Sequence, residues 1–206
     1  MKRPGGVPGQ VRIIGGRLRG SKLAVPDRDG LRPTPGRVRE TLFNWLQPVV
    51  AGAHCLDLFA GSGALGIEAL SRGAAAVAFV ERDPALAAAL RANLARLRQG
   101  EAGSVRCADA MALLEESPPQ PCDLVFLDPP FAADLWAAVA ARLEQSAWLA
   151  AAAWIYVESP SAAVFQLPAS WHLHRESRAG QVRHALYRRH AGDPLSWPPS
   201  AAGLAT

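Results

Sequence analysis

Apolar positions along this chain follow two different periods. From residue 54 onward, short apolar runs alternate with longer stretches in which apolar residues recur every three or four positions. The runs predict strands at about 54–59, 76–81, 104–107, 122–127 and 152–158, and the stretches between them predict helices at about 63–72, 84–98, 109–116 and 134–145. Ahead of that block, Val11-Arg12-Ile13-Ile14, a turn at Gly15-Gly16 and the segment Arg17 to Val25 predict a short hairpin. Thr34 as N-cap and Pro35 at the first helical position open a helix through Gln47, with Val38, Leu42, Phe43 and Leu46 on one face. Trp171 to Arg178 and Gln181 to His190, joined at Ala179-Gly180, predict a closing hairpin. Residues 1–10 and 191–206 carry Gly and Pro without a period and are expected to be disordered.

Strands alternating with helices imply a mostly parallel sheet covered on both faces. The expected fold class is therefore α/β and Rossmann-like: a seven-stranded, mostly parallel sheet with helices on both faces and a small N-terminal β-hairpin extension. Residues 11–50 form a basic N-terminal unit in this scheme, and residues 51–190 the main domain. The 206 residues suffice for one well-buried core, and there is no internal repeat.

Charge adds a partner to this picture. Residues 1–50 hold ten Lys/Arg against Asp27, Asp29 and Glu40, whereas residues 51–170 hold seven basic and thirteen acidic residues. An acidic middle between basic ends suggests a catalytic core flanked by surfaces for a polyanion. Arg12, Arg17, Arg19 and Lys22 are the leading candidates for phosphate contacts. Twenty of the 22 basic residues are Arg, the side chain suited to bidentate phosphate or base contacts. Cys55, Cys107 and Cys122 lack metal-ligand spacing and lie in apolar surroundings, so buried free thiols are expected and no metal site. The apolar stretch Ala147 to Val157 is too short to cross a bilayer, and Met1-Lys2-Arg3 is followed by Pro and Gly rather than an apolar segment. A cytoplasmic protein, monomeric and away from membranes, is the expectation.

The candidate chemistry sits where strands end. Gly61-Ser62-Gly63, with Gly66 beyond, turns the first of the alternating strands into a helix and lets backbone approach a ligand. Glu81 follows the second strand, 24 residues after Asp57, where a carboxylate can accept from both ribose hydroxyls. The loop matches G-x-G-x-x-G, yet Asp57 just ahead of it disfavours a pyrophosphate and suits the amino group of a methionine moiety. S-adenosylmethionine is thus preferred to a nicotinamide dinucleotide. Asp109 can accept from an adenine amino group, cap the following helix, or do both. Phe59, Ala60, Arg82 and Ala110 neighbour these positions and complete the candidate cofactor set. Asp128-Pro129-Pro130-Phe131 ends the apolar run 124–127. Asp128 and the Pro129 carbonyl could accept from an exocyclic amine on a base, Pro130 stiffens the turn, and Phe131 could stack on the extruded base.

With these motifs in place, the chain resembles the RsmD-type 16S ribosomal RNA guanine-N2-methyltransferases among the class I methyltransferases. The likeness runs from about Arg12 to Arg189. It is carried by Arg12-Ile13-Ile14-Gly15-Gly16, Leu31-Arg32-Pro33-Thr34, the stretch Arg37 to Leu46, the Asp57 loop, Asp128 to Phe131, Gly180-Gln181-Val182 and Leu186-Tyr187. The resemblance implies methyl transfer from S-adenosylmethionine to one guanine (the guanine-966 type) of 16S rRNA within an assembled or assembling small ribosomal subunit. It further implies that Arg32 to Thr34 and the helix containing Arg37, Arg39 and Glu40 close over the cofactor and approach the target base. The family usually carries Thr-Asp where this chain has Pro35-Gly36. Two other functions fit the same motifs. One is a DNA amine methyltransferase acting on adenine or cytosine, though no sizeable target-recognition domain is evident. The other is a non-catalytic RNA-binding assembly factor.

Overall fold

The computed structural model describes residues 9–26 and 34–190. In chain order the elements are β1 (Gly9–Arg12), β2 (Lys22–Val25), α1 (Gly36–Trp45), β3 (His54–Asp57), α2 (Ala64–Ser71), β4 (Ala76–Val80), α3 (Pro84–Arg96), β5 (Gly103–Arg106), α4 (Ala110–Leu113), β6 (Cys122–Leu127), α5 (Trp136–Gln145), β7 (Leu149–Pro160), β8 (Trp171–Ala179) and β9 (Val182–Arg189). The main sheet has the order β5-β4-β3-β6-β7-β9-β8. Its first five strands are parallel and β9 pairs antiparallel with both β7 and β8. The expected fold class holds.

Two apolar layers sandwich the sheet. On one face α1, α2, α3 and the N-terminal hairpin cover Cys55, Phe79, Phe126 and Tyr156. On the other, α4 and α5 cover Leu56, Val125, Leu127 and Ile155. The helices after β3 and β6 leave on opposite faces although these strands are neighbours, so a crevice opens between their carboxyl ends. Every residue of α2 is buried, because the sheet lies beneath it and the hairpin above. A Cβ on Gly66 would meet the Phe79 ring at 2.2 Å, so glycine is what allows α2 to pack this closely.

The hairpin is the element whose details differ most from expectation. β1 and β2 pair antiparallel, Gly9 with Val25 through Arg12 with Lys22, and β1 begins inside the stretch expected to be disordered. Gly15 and Gly16 do not form a tight hairpin turn. They cross the end of α2, where a Cβ on Gly16 (φ 71°) would lie 1.9 Å from the Ser71 carbonyl oxygen. Close approach, not chain reversal, requires these glycines. Glu68 of α2, fully buried, accepts from the backbone N–H of Ile14 (2.8 Å) and of Gly15 (2.7 Å). Asn93 of α3 pairs with the N–H and carbonyl of Ala24 as a strand would.

α1 starts at Gly36, with Pro35 in the capping position and no side-chain cap. Thr34, expected as that cap, turns to Glu158 instead. Val38, Leu42, Phe43 and Leu46 are buried as predicted. Cys55 and Cys122 are buried free thiols. Burial pushes both thiol pKa values up, that of Cys122 to about 12. Cys107, expected to be buried, is exposed. The expected disorder of residues 1–8 and 191–206 lies outside the described residues.

Candidate active site

Four strands of the parallel block deliver a carboxylate to the same edge of the sheet: Asp57 from β3, Glu81 just past β4, Asp128 just past β6 and Glu158 from β7. Asp57 is 3 % exposed, and its Oδ2 accepts from the N–H of Gly66 at 3.1 Å. Burial raises its pKa to about 7; the Gly66 hydrogen bond opposes that rise and the charge of Glu81 adds to it. No cation among the described residues forms an ion pair with Asp57.

The glycine loop is bound to Glu81. Its Oε2 accepts from the N–H of Gly61 and its Oε1 from that of Asp83, each at 2.8 Å. Each oxygen retains a second lone pair for a ligand hydroxyl. Gly61 (φ 50°) and Gly63 (φ 74°) occupy the left-handed region that lets the loop curl onto α2. Ala60 is pinned by its N–H to the Val80 carbonyl, and Phe59 lies half-buried beside it. Across the crevice, exposed Asp109 caps α4 by accepting from Met111 and Ala112, next to buried Ala110. Arg82 is exposed. A buried carboxylate without a cation, a second carboxylate beside a glycine loop and a capping carboxylate at the next strand end fit an ammonium, a ribose and an adenine in that order.

Asp128 is half-buried, Pro129 buried, and Pro130 and Phe131 exposed. Burial raises the Asp128 pKa well above the ordinary carboxylate range, and the charges of Glu158 and Asp57 raise it further. The Phe131 ring, 41 % exposed, lies 5.8 Å from Trp136, which stacks on Phe165 at 5.5 Å. An exposed ring supported from behind by a buried one can receive a planar group.

Several residues of this neighbourhood were not singled out from sequence. Glu158, 6 % exposed, accepts at Oε2 from the Tyr156 hydroxyl (3.0 Å) and from Thr34 Oγ1 (3.3 Å). His184 Nδ1 lies 2.8 Å from the same tyrosine oxygen. Trp136 Nε1 donates to the Glu158 carbonyl at 2.7 Å. A carboxylate closing an apolar strand was the visible signal for Glu158, the same signal that pointed to Glu81.

Among the candidate RNA contacts, Arg12, Arg17, Arg19, Lys22 and Arg37 are all exposed. Arg39 is corrected. It is 4 % exposed, its guanidinium lies 3.6 Å from Glu68, and it donates to the carbonyls of Thr34 and Arg12. Burial lowers its pKa while Glu68 raises it. Its role is to hold α1, α2 and β1 together. Arg32 lies outside the described residues.

A Rossmann-like sheet with a glycine loop, strand-end carboxylates and a D-P-P-F turn defines a class I methyltransferase fold. Residues 11–188 match the family model described as "Conserved hypothetical protein 95". The chain is 52 % identical over 193 residues to ribosomal RNA small subunit methyltransferase D of Escherichia coli (strain K12), covering 93 % of this chain and 96 % of that one. The Haemophilus influenzae protein of the same name is 44 % identical over 182 residues, covering 87 % and 94 %. A solved structure described as a putative methyltransferase from Escherichia coli superimposes with a TM-score of 0.81 over 89 % of this chain and all of that one, at 52 % identity. The chain belongs to the RsmD family of ribosomal RNA small-subunit methyltransferases.

Proposed function

We propose that this protein transfers the methyl group of S-adenosylmethionine to the exocyclic N2 amine of one guanine in 16S rRNA, presented in the small ribosomal subunit. The observation that carries the base chemistry is Asp128-Pro129-Pro130-Phe131 at the switch point, with Asp128 beside the Asp57 and Glu81 loop rather than at a distant edge. The family relatives, named for the small-subunit RNA, supply the substrate class.

S-adenosylmethionine supplies a sulfonium-activated methyl group. Asp57 binds the ammonium, Glu81 the ribose hydroxyls and Asp109 the adenine amine. Asp128 and the Pro129 carbonyl accept from the two amine protons, which favours a pyramidal nitrogen whose lone pair can attack. As the carbon–nitrogen bond forms and the carbon–sulfur bond breaks, the amine becomes acidic. Asp128, whose burial raises its affinity for a proton, takes that proton and passes it to water. Phe131 stacks on the extruded base and excludes water from one side. Arg12, Arg17, Arg19, Lys22 and Arg37 contact phosphates.

The test is transfer of labelled methyl to small subunits from a strain lacking the activity, with the modified nucleotide mapped by mass spectrometry. Label is expected on guanine N2. Asp128→Ala should lower turnover by at least about a hundredfold, with cofactor affinity within a few-fold of the parent. Label on duplex DNA, or full activity in the Asp128 variant, would refute the proposal.

A further inference from the structure

Glu158 occupies a place that the transfer chemistry alone does not require. β6 and β7 pair in parallel up to Leu127 opposite Val157, and the residues that follow, Asp128 and Glu158, lie close enough for the Glu158 charge to act on the Asp128 carboxyl. Neighbouring strands are about 4.8 Å apart, so the two carboxylates share the turn that would receive the base. Glu158 is firmly held. Its Oε2 is fixed by Tyr156 and Thr34, and its carbonyl by Trp136. Its Oε1 has no hydrogen bond among the described residues.

Three bases carry an exocyclic amine, and they differ beside it. In adenine the neighbouring Watson–Crick ring nitrogen, N1, is an acceptor, and in cytosine N3 is an acceptor. In guanine N1 bears hydrogen. A carboxylate only accepts, so it attracts guanine's N1–H and repels the lone pair of the other two.

We propose that Glu158 is a specificity-determining residue that accepts the N1–H of the target guanine through Oε1 while Asp128 holds the adjacent N2 amine. This rests on the guanine reading above, and it assigns the rejection of adenine and cytosine to a named residue. The Tyr156 hydroxyl and Thr34 position the carboxylate by fixing its other oxygen.

The experiment uses small subunits reconstituted with 16S RNA carrying either guanine or 2-aminopurine at the mapped target. 2-Aminopurine keeps the amine but presents an acceptor at N1. The intact enzyme should methylate guanine roughly a hundredfold faster, the discrimination expected from one charge-assisted hydrogen bond. In Glu158→Gln, whose amide can donate to the N1 lone pair, that ratio should fall by about tenfold or more. Effects of the missing O6, and any loss of folded enzyme, are common to both variants or both substrates and cancel in the comparison. Dissociation constants for the two subunits, measured with S-adenosylhomocysteine so that no turnover occurs, should shift in the same direction. Equal rates on both bases in the intact enzyme, or an unchanged ratio in Glu158→Gln, overturns the role of Glu158. Absence of N2 label from the intact enzyme on guanine subunits overturns the function proposed above, which is a different result.

Discussion

In the proposed site, Asp57 would link cofactor binding to pH through one buried side chain. Its pKa of about 7 arises mainly from burial, since no cation among the described residues pairs with it. Between the ordinary carboxylate value of 3.8 and about 7, the folded protein holds a proton that the unfolded chain has released. Stability without cofactor is therefore expected to decline as pH rises across that window. A bound ammonium would favour the carboxylate, so binding of S-adenosylmethionine near pH 6 should release a proton and tighten up to about pH 7. Titration calorimetry in two buffers of different ionisation enthalpy measures that proton. Its absence, or its persistence in Asp57→Asn, would remove Asp57 from this role. Asp57, Glu81 and Asp128 were legible because each closes an apolar run. Arg39 was not, since only the folded chain places Glu68 opposite it and turns an apparent RNA contact into a buried ion pair.

The N-terminal hairpin is tied to α2 by two side chains, Glu68 and Ser71, of which Glu68 carries the charge. Glu68 receives two backbone N–H groups from the hairpin linker, the Arg72 guanidinium at 2.9 Å and the charge of Arg39. Glu68→Ala would leave those donors unsatisfied and a buried guanidinium uncompensated, a loss of about 3–5 kcal/mol. Chemical denaturation should show that loss, and hydrogen exchange should accelerate first in residues 9–26. Adding Arg39→Met should recover part of the stability, because the unpaired charge leaves with it. Sequence periodicity placed nearly every element of the sheet, for strands and helices declare themselves in local pattern. The crossing of α2 by Gly15 and Gly16 left no such mark. A glycine pair looks the same whether it reverses a chain or lets backbone touch a helix end.

Across the whole molecule, the exposed cations of the hairpin and α1 form the surface proposed to meet RNA. Binding to small subunits should weaken steeply with salt, and Arg19→Ala with Lys22→Ala should make that dependence shallower, by roughly one unit of slope for every phosphate the variant no longer neutralises. Equilibrium binding across a salt series measures this; an unchanged slope would place the RNA elsewhere. The α/β class, the glycine loop, three strand-end carboxylates and the basic N-terminal segment are written in local stretches of residues, because periodicity, turn chemistry and charge are local properties. What those residues face depends on how the chain packs. That packing brought Asp128 within reach of the Glu158 charge and tied Glu158 to Thr34, 124 residues away in the chain. It also took Arg39 out of solvent, since burial and register depend on how distant segments pack and are written in no single stretch of sequence.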